Sequence, residues 1–255
     1  MLEIDLLRFP SWPTFIVPAD RREGLYAKLE AAGMKRDKWV TVLHYREPTY
    51  PLRVPTPYRD VASDEPYEAL ARYIIKSLDC QVVRIGHKEM RAWDIGDGFV
   101  DLSRSEDFML QACALSLSRF AVMTAGGPAH LPCAFGVPVM ISNAIGIAAC
   151  GADPGFMLPR GLVSPKGVRV DIGATARAGR WTSEHTRHAV VNHGYSLVDN
   201  TEKELCTWAR EMYGQSAGAF PPGWREPATV PPIAATALYS PRLPFVRGVN
   251  LWGAE

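Results

Sequence analysis

No apolar run in the chain approaches the roughly 20 residues that a membrane-spanning helix needs; Ile145-Gly-Ile-Ala-Ala-Cys-Gly-Ala falls far short. Charge of one sign is lacking too. Lys and Arg number 28 against 27 Asp and Glu, a formal charge of +1. A nucleic-acid binder would show a basic excess, and a membrane-surface protein a polybasic patch, so no nucleic acid and no membrane are expected as partners. The five cysteines, Cys80, Cys113, Cys133, Cys150 and Cys206, are scattered and form no CxxC, which reads as buried thiols in a reducing compartment. The N-terminus, Met1-Leu-Glu-Ile-Asp-Leu-Leu-Arg, carries acids and no basic segment, so no signal peptide is read and a cytoplasmic location is expected. No internal repeat is present.

What is present is ordinary globular composition: 255 residues, 47% hydrophobic and 22% charged, enough to bury a core without disulfides or metals as staples. The runs Trp39–His44, Gln81–Ile85, Phe120–Met123 and Val137–Ile141 are nearly all apolar, as strands buried on both faces are. Between them lie helical patterns over 21–33, 64–78, 103–117 and 128–135, the first two led by the candidate caps Asp20 and Asp64. A further helix over 202–212 opens on Thr201 and Glu204, a capping box. Strands alternating with helices predict an α/β fold, a doubly wound, Rossmann-like parallel sheet, with the strand at 137–141 as its last. The chain divides into a lead-in and helix over 1–38, the sheet domain over 39–213, and a Pro-rich tail over 214–255 that packs on the domain or a partner.

In such sheets ligands lie beyond the C-terminal ends of the strands, so the residues just after each strand are the candidates. After the first come His44, Arg46 and Glu47, then Tyr58, Arg59 and Asp60. An Arg in a proline-stiffened loop offers a fork to phosphate; Glu47 is either a general base or the partner that holds Arg46; His44 is a ligand group or a core histidine. After the third come Thr124, Gly126, Gly127 and Pro128, where a glycine turn opens a short helix whose N–H groups favour an anion. Ser142 and Asn143 end the fourth. A polar segment holds His185, His188 and His193; their spacing lacks a fourth ligand, so no metal is expected, and no cofactor.

Taken in order, Val42-Leu-His-Tyr-Arg-Glu, Tyr58-Arg-Asp, Val82-Val-Arg-Ile-Gly, Thr124-Ala-Gly-Gly-Pro, Phe135-Gly-Val-Pro-Val and Leu197-Val-Asp-Asn-Thr-Glu-Lys-Glu-Leu resemble an uncharacterised bacterial glycosyltransferase family. That family is GT-B-like, often attached to tetratricopeptide repeats, and distantly similar to GDP-fucose-using fucosyltransferases. The resemblance runs from about Phe15 to Phe245. It implies the C-terminal, donor-binding half of a GT-B enzyme, in which Arg46 and the Gly126–Gly127 turn hold the nucleotide diphosphate. The sequence departs from the family in having Thr124-Ala-Gly-Gly-Pro where a Ser-rich turn is usual. It also shows no second Rossmann pattern before Trp39, so a homodimer or a separate protein is expected to supply the missing wall.

The expected function is transfer from a nucleoside-diphosphate sugar to an acceptor left open, with Arg46 and Glu47 as catalytic residues and Arg59 assisting. Two alternatives stand beside it: a hydrolase or rearranging enzyme acting on a nucleotide, nucleoside or nucleotide sugar, and a non-catalytic nucleotide-sugar-binding subunit.

Overall fold

The apolar runs become strands of one sheet. A computed structural model describes residues 17–49, 57–135, 137–146, 155–216 and 223–224. In it β1 (Trp39–His44), β2 (Cys80–Arg84), β3 (Phe99–Asp101), β4 (Phe120–Thr124), β5 (Val139–Ala144) and β6 (Gly155–Pro159) pair in the order β3-β2-β1-β4-β5-β6. Every pairing is parallel. The chain first builds outward from β1 through β2 to β3, then returns to place β4 on the other side of β1. Strand order therefore reverses between β1 and β4, which opens a crevice at their C-terminal ends.

Strand residues alternate between two cores, as a period of two requires. Val40 and Val42 of β1, Ala121 and Met123 of β4, and Val139 and Ile141 of β5 face one side. There they meet Leu25 and Leu29 of α1 (Ala19–Ala31) and Cys113 and Leu115 of α3 (Phe108–Ser116). Leu43, Val82, Phe120, Val122 and Met140 face the other, against α2 (Glu65–Leu78) and α7 (Glu202–Ser216). Helices on both faces bury every residue of β2, β4 and β5, which is why those strands read as largely apolar runs rather than alternating ones.

Four local expectations are corrected. Asp20 lies inside the first turn of α1, which Pro18 precedes. Asp64 stands before α2 without capping it; its carboxylate instead accepts from Arg91, Trp93 and Tyr45. The strand ending at Ser142 and Asn143 is not the last, since β6 follows it. The pattern over 128–135 folds as a 3-10 turn, Gly127–His130, and a single α-turn, α4 (Leu131–Ala134), rather than one helix. Beyond the sheet, α5 (Ile172–Arg177) and α6 (Ser183–His193) follow a short strand, β7 (Gly161–Val163), which pairs antiparallel with β8 (Ser196–Val198).

The described part of the tail returns to α1. Trp224 donates its backbone N–H to the Arg36 carbonyl at 3.0 Å, and its ring packs edge-on against Tyr26 at 5.2 Å. The Arg36 guanidinium lies 5.3 Å from both rings, a cation–π arrangement. The rest of the Pro-rich segment lies outside the described residues.

Candidate functional site

The ends of β1 and β4 are tied together where they diverge. The Arg46 N–H donates to Thr124 Oγ1 at 2.8 Å, and the Arg46 carbonyl accepts from Val61, so the loop after β1 is held at both sides. A cavity of about 410 Å³ opens there. His44, Arg46, Glu47 and His87 form its polar wall, and Ile85, Ala112, Leu115, Pro128 and Leu131 its apolar wall. Gly126 and Gly127 line it from the β4 side. Phe108, 61% exposed, stands at its rim from the first turn of α3.

Arg46 is held by Asp60, not by Glu47. Its Nε donates to the buried Asp60 carboxylate at 3.0 Å, which fixes the plane of the guanidinium. Arg59 sends Nη2 to the Ala125 carbonyl at 3.4 Å, and its buried Nε meets no hydrogen-bond partner among the described residues. Burial first, then the neighbouring charge of Arg46, pushes its pKa down. Two guanidinium groups at one strand end repel each other, and an anion between them relieves that repulsion.

Glu47 turns the other way. Its Oε1 lies 2.8 Å from His87 Nε2 and also accepts from the Thr49 hydroxyl. His44 lines the same wall, and among the described residues its buried Nδ1 has no hydrogen-bond partner. Burial, helped by His87 and Arg46, pushes its pKa down to about 4. The ring is therefore neutral near pH 7 and meets a ligand as a hydrogen-bonding group rather than a cation.

Arg59 and the remaining sequence candidates fall outside the cavity lining. The Tyr58 carbonyl accepts from Arg160 at 3.2 Å, and Arg160 pairs with Asp199. Thr124 serves as the tie between strand ends. Ser142 and Asn143 are buried in a lock of side chains: Tyr67 Oη lies 2.8 Å from the Ser142 hydroxyl and accepts from Asn143 Nδ2 at 3.0 Å. Asn143 and Asn200 exchange N–H to side-chain oxygen bonds of 2.6 and 2.7 Å. That lock joins β5 to α2 and to the start of α7.

His185, His188 and His193 are exposed on α6. His185 Nδ1 lies 2.7 Å from the Thr182 cap hydroxyl, and the other two rings meet edge-on at 4.8 Å. Among the described residues, no group of three His, Cys, Asp or Glu side chains is arranged to hold a metal.

The sequence reading missed His87, Gln111 and Phe108. The rule it used would have found His87, which directly follows the glycine that ends the second strand. Gln111 and Phe108 carry no such signal, because they come from a helix that reaches the site only in three dimensions.

No protein-family model matches the chain, and no curated protein matches it. Among solved structures it is similar to a family 9 glycosyl transferase from Veillonella parvula DSM 2008, with TM-score 0.48 and 11% identity over 79% of this chain and 54% of that one. It is also similar to the wall teichoic acid polymerase TagF, with TM-score 0.37 and 10% identity over 78% of this chain and 43% of that one. The chain thus spans about half the length of these proteins.

Proposed function

We propose that this chain binds a nucleoside-diphosphate sugar in the cavity at the strand switch point and transfers the sugar to an acceptor hydroxyl. One observation carries the reading. At the place where a parallel sheet offers its ligand crevice, a guanidinium fixed by a buried carboxylate, a glycine turn and a carboxylate share one cavity.

In this reading Arg46 faces the diphosphate from the β1 side, with the charge of Arg59 behind it, and the Gly126–Gly127 backbone faces it from the β4 side. Glycine at both positions lets a phosphate approach the main chain without meeting a side chain. The acceptor oxygen attacks the anomeric carbon and loses its proton to Glu47. The bond from that carbon to the phosphate oxygen breaks, and its electron pair leaves with the diphosphate. Stabilising that departing charge is the larger contribution, since preset cations in a dry site lose little to reorganisation.

Thermal shift against UDP, GDP, ADP, CMP and their sugars tests the binding step. A true ligand at a hundredfold excess over Kd adds about 2.7 kcal/mol to stability. Arg46→Ala should cost that ligand about 2–5 kcal/mol of affinity, the loss expected for a desolvated charge contact. Full retention of affinity in the variant would move the anion site elsewhere. Binding without turnover would make the chain a nucleotide-sugar-binding subunit instead.

A further inference from the structure

Glu47 sits in irregular backbone three residues past the end of β1, and among the described residues of its own loop it is offered only the Thr49 hydroxyl. The stronger hold comes from the neighbouring strand. His87, three residues past the end of β2, brings Nε2 to 2.8 Å from Glu47 Oε1, and the two side chains are only 19% and 13% exposed. Both contacts fall on Oε1. No hydrogen bond from a described residue reaches Oε2, which is left to take a proton.

The residue that holds Glu47 is itself held. Gly86 donates its N–H to Gln111 Oε1 and accepts from Gln111 Nε2, both at 3.2 Å. The same amide also donates to the Leu102 and Ser105 carbonyls at 3.1 and 2.8 Å. Gly86 has φ +157, and Met90 Sδ fills the place a Cβ would take, so the turn that aims His87 admits only glycine. A continuous chain of contacts runs from α3 through Gln111, Gly86 and His87 to Glu47.

We infer that His87 is a positioning residue for proton transfer at this site: its Nε2–H fixes the Glu47 carboxylate through Oε1 so that Oε2 accepts the proton of the attacking hydroxyl. This inference rests on the glycosyl-transfer reading above. The other charged or titratable groups lining the cavity are His44, Tyr45 and Arg46, from β1 and its loop; the Tyr45 hydroxyl is already given to Asp64. The lining residues of α3 and of the turn after β4 bring none. Among the described lining residues Glu47 is accordingly the one carboxylate, and it is suited to take a proton while remaining anchored. As in other acid–base sites, the anchoring partner sets geometry and does not itself take the proton.

The test uses the full chain, the nucleotide sugar of the panel that gives the largest thermal shift, and steady-state kinetics of its cleavage. His87→Leu should lower kcat about tenfold or more, short of the 10²–10⁴ that loss of a base costs, and leave Kd for the donor within about twofold. His87→Gln should recover most of the rate, because an amide N–H can hold a carboxylate. In a Glu47→Gln background His87→Leu should cost nothing further. A His87→Gln protein as slow as His87→Leu overturns the inference, since it would mean that the ring itself takes the proton. Unchanged kcat in His87→Leu overturns it also, while leaving the glycosyl-transfer reading intact. A panel in which nothing binds or reacts sinks both. Should His87→Leu fail to fold, imidazole ¹⁵N NMR of the ligand-free protein decides: the proton must lie on Nε2, and Glu47→Gln must move that resonance. A ring protonated on Nδ1 alone overturns the inference.

Discussion

His44 ends β1 with its Nδ1 buried and, among the described residues, unpartnered, and that burial makes stability depend on pH. Its folded pKa of about 4 lies below the ordinary 6.5, so between those values the unfolded chain binds a proton that the folded chain excludes. Stability from this group is complete above pH 6.5 and is lost as pH falls towards 4, by about 3 kcal/mol at most. His44→Gln should flatten the slope of unfolding free energy over pH 4–6.5 relative to the unmodified chain, as read by urea melts at each pH. An equal slope in both proteins would show that folding leaves the proton affinity of the ring unchanged. Arg84 makes the opposite case at this scale, a charge buried because it is paired. Its guanidinium is fully buried, bonds Asp101 through Nε and Nη2, and lies 4.3 Å from the Trp93 ring. Asp101→Ala leaves that cation buried without its partner and should cost about 3–5 kcal/mol in a denaturant melt. A loss under 1 kcal/mol would mean that water or Tyr45, 3.3 Å from Nη1, compensates.

Among the elements, those legible in the sequence are the ones whose signal is local. The capping box of α7 forms as the spacing demands: Thr201 N–H donates to Glu204 Oε2 at 2.8 Å, and Glu204 N–H to Thr201 Oγ1 at 3.3 Å. Leu205, Trp208 and Met212 follow on the face buried against α2. Thr201→Ala should cost about 1 kcal/mol, the usual worth of an N-cap, visible as a lower denaturation midpoint with an unchanged slope. Asp64 shows where local reasoning stops. Its position before α2 looks like a cap, but Arg91 and Trp93, 27 and 29 residues away, compete for the carboxylate, and charge-assisted bonds are the stronger. The elements missed altogether are short or weakly patterned. Strands β7 and β8 have three residues each, and α6 buries only Thr186, so no stripe of apolar residues announces it. The same limit applies to the site. His44, Arg46, Glu47 and the Gly126–Gly127 turn were legible because strand ends in a parallel sheet converge by topology. The Asp60 and His87 partnerships were not, because which carboxylate meets which cation is decided by loop paths that the sequence pattern does not encode.

For the whole molecule, the open question is what covers the cavity. The ends of β1 and β2, one face of α3 and the turn after β4 wall it but leave it open to solvent, and water entering a cleft weakens each electrostatic contact to a leaving group. Phe108 stands at the rim with most of its ring in solvent, an apolar surface where a covering group would gain by burying it. The described segment of the tail is unavailable for that role, because Trp224 is already packed between Tyr26 and Arg36 beside α1. A second copy of the chain is the simplest cover, since two-fold pairs are the commonest closed assemblies. Light scattering at micromolar concentration should then report about twice the 28.1 kDa chain mass, and Phe108→Asp should shift the population towards the single chain by placing a charge in the contact. A 28.1 kDa monomer that still cleaves a sugar donor by itself would show that one domain suffices, and the argument from the open cleft would then fail.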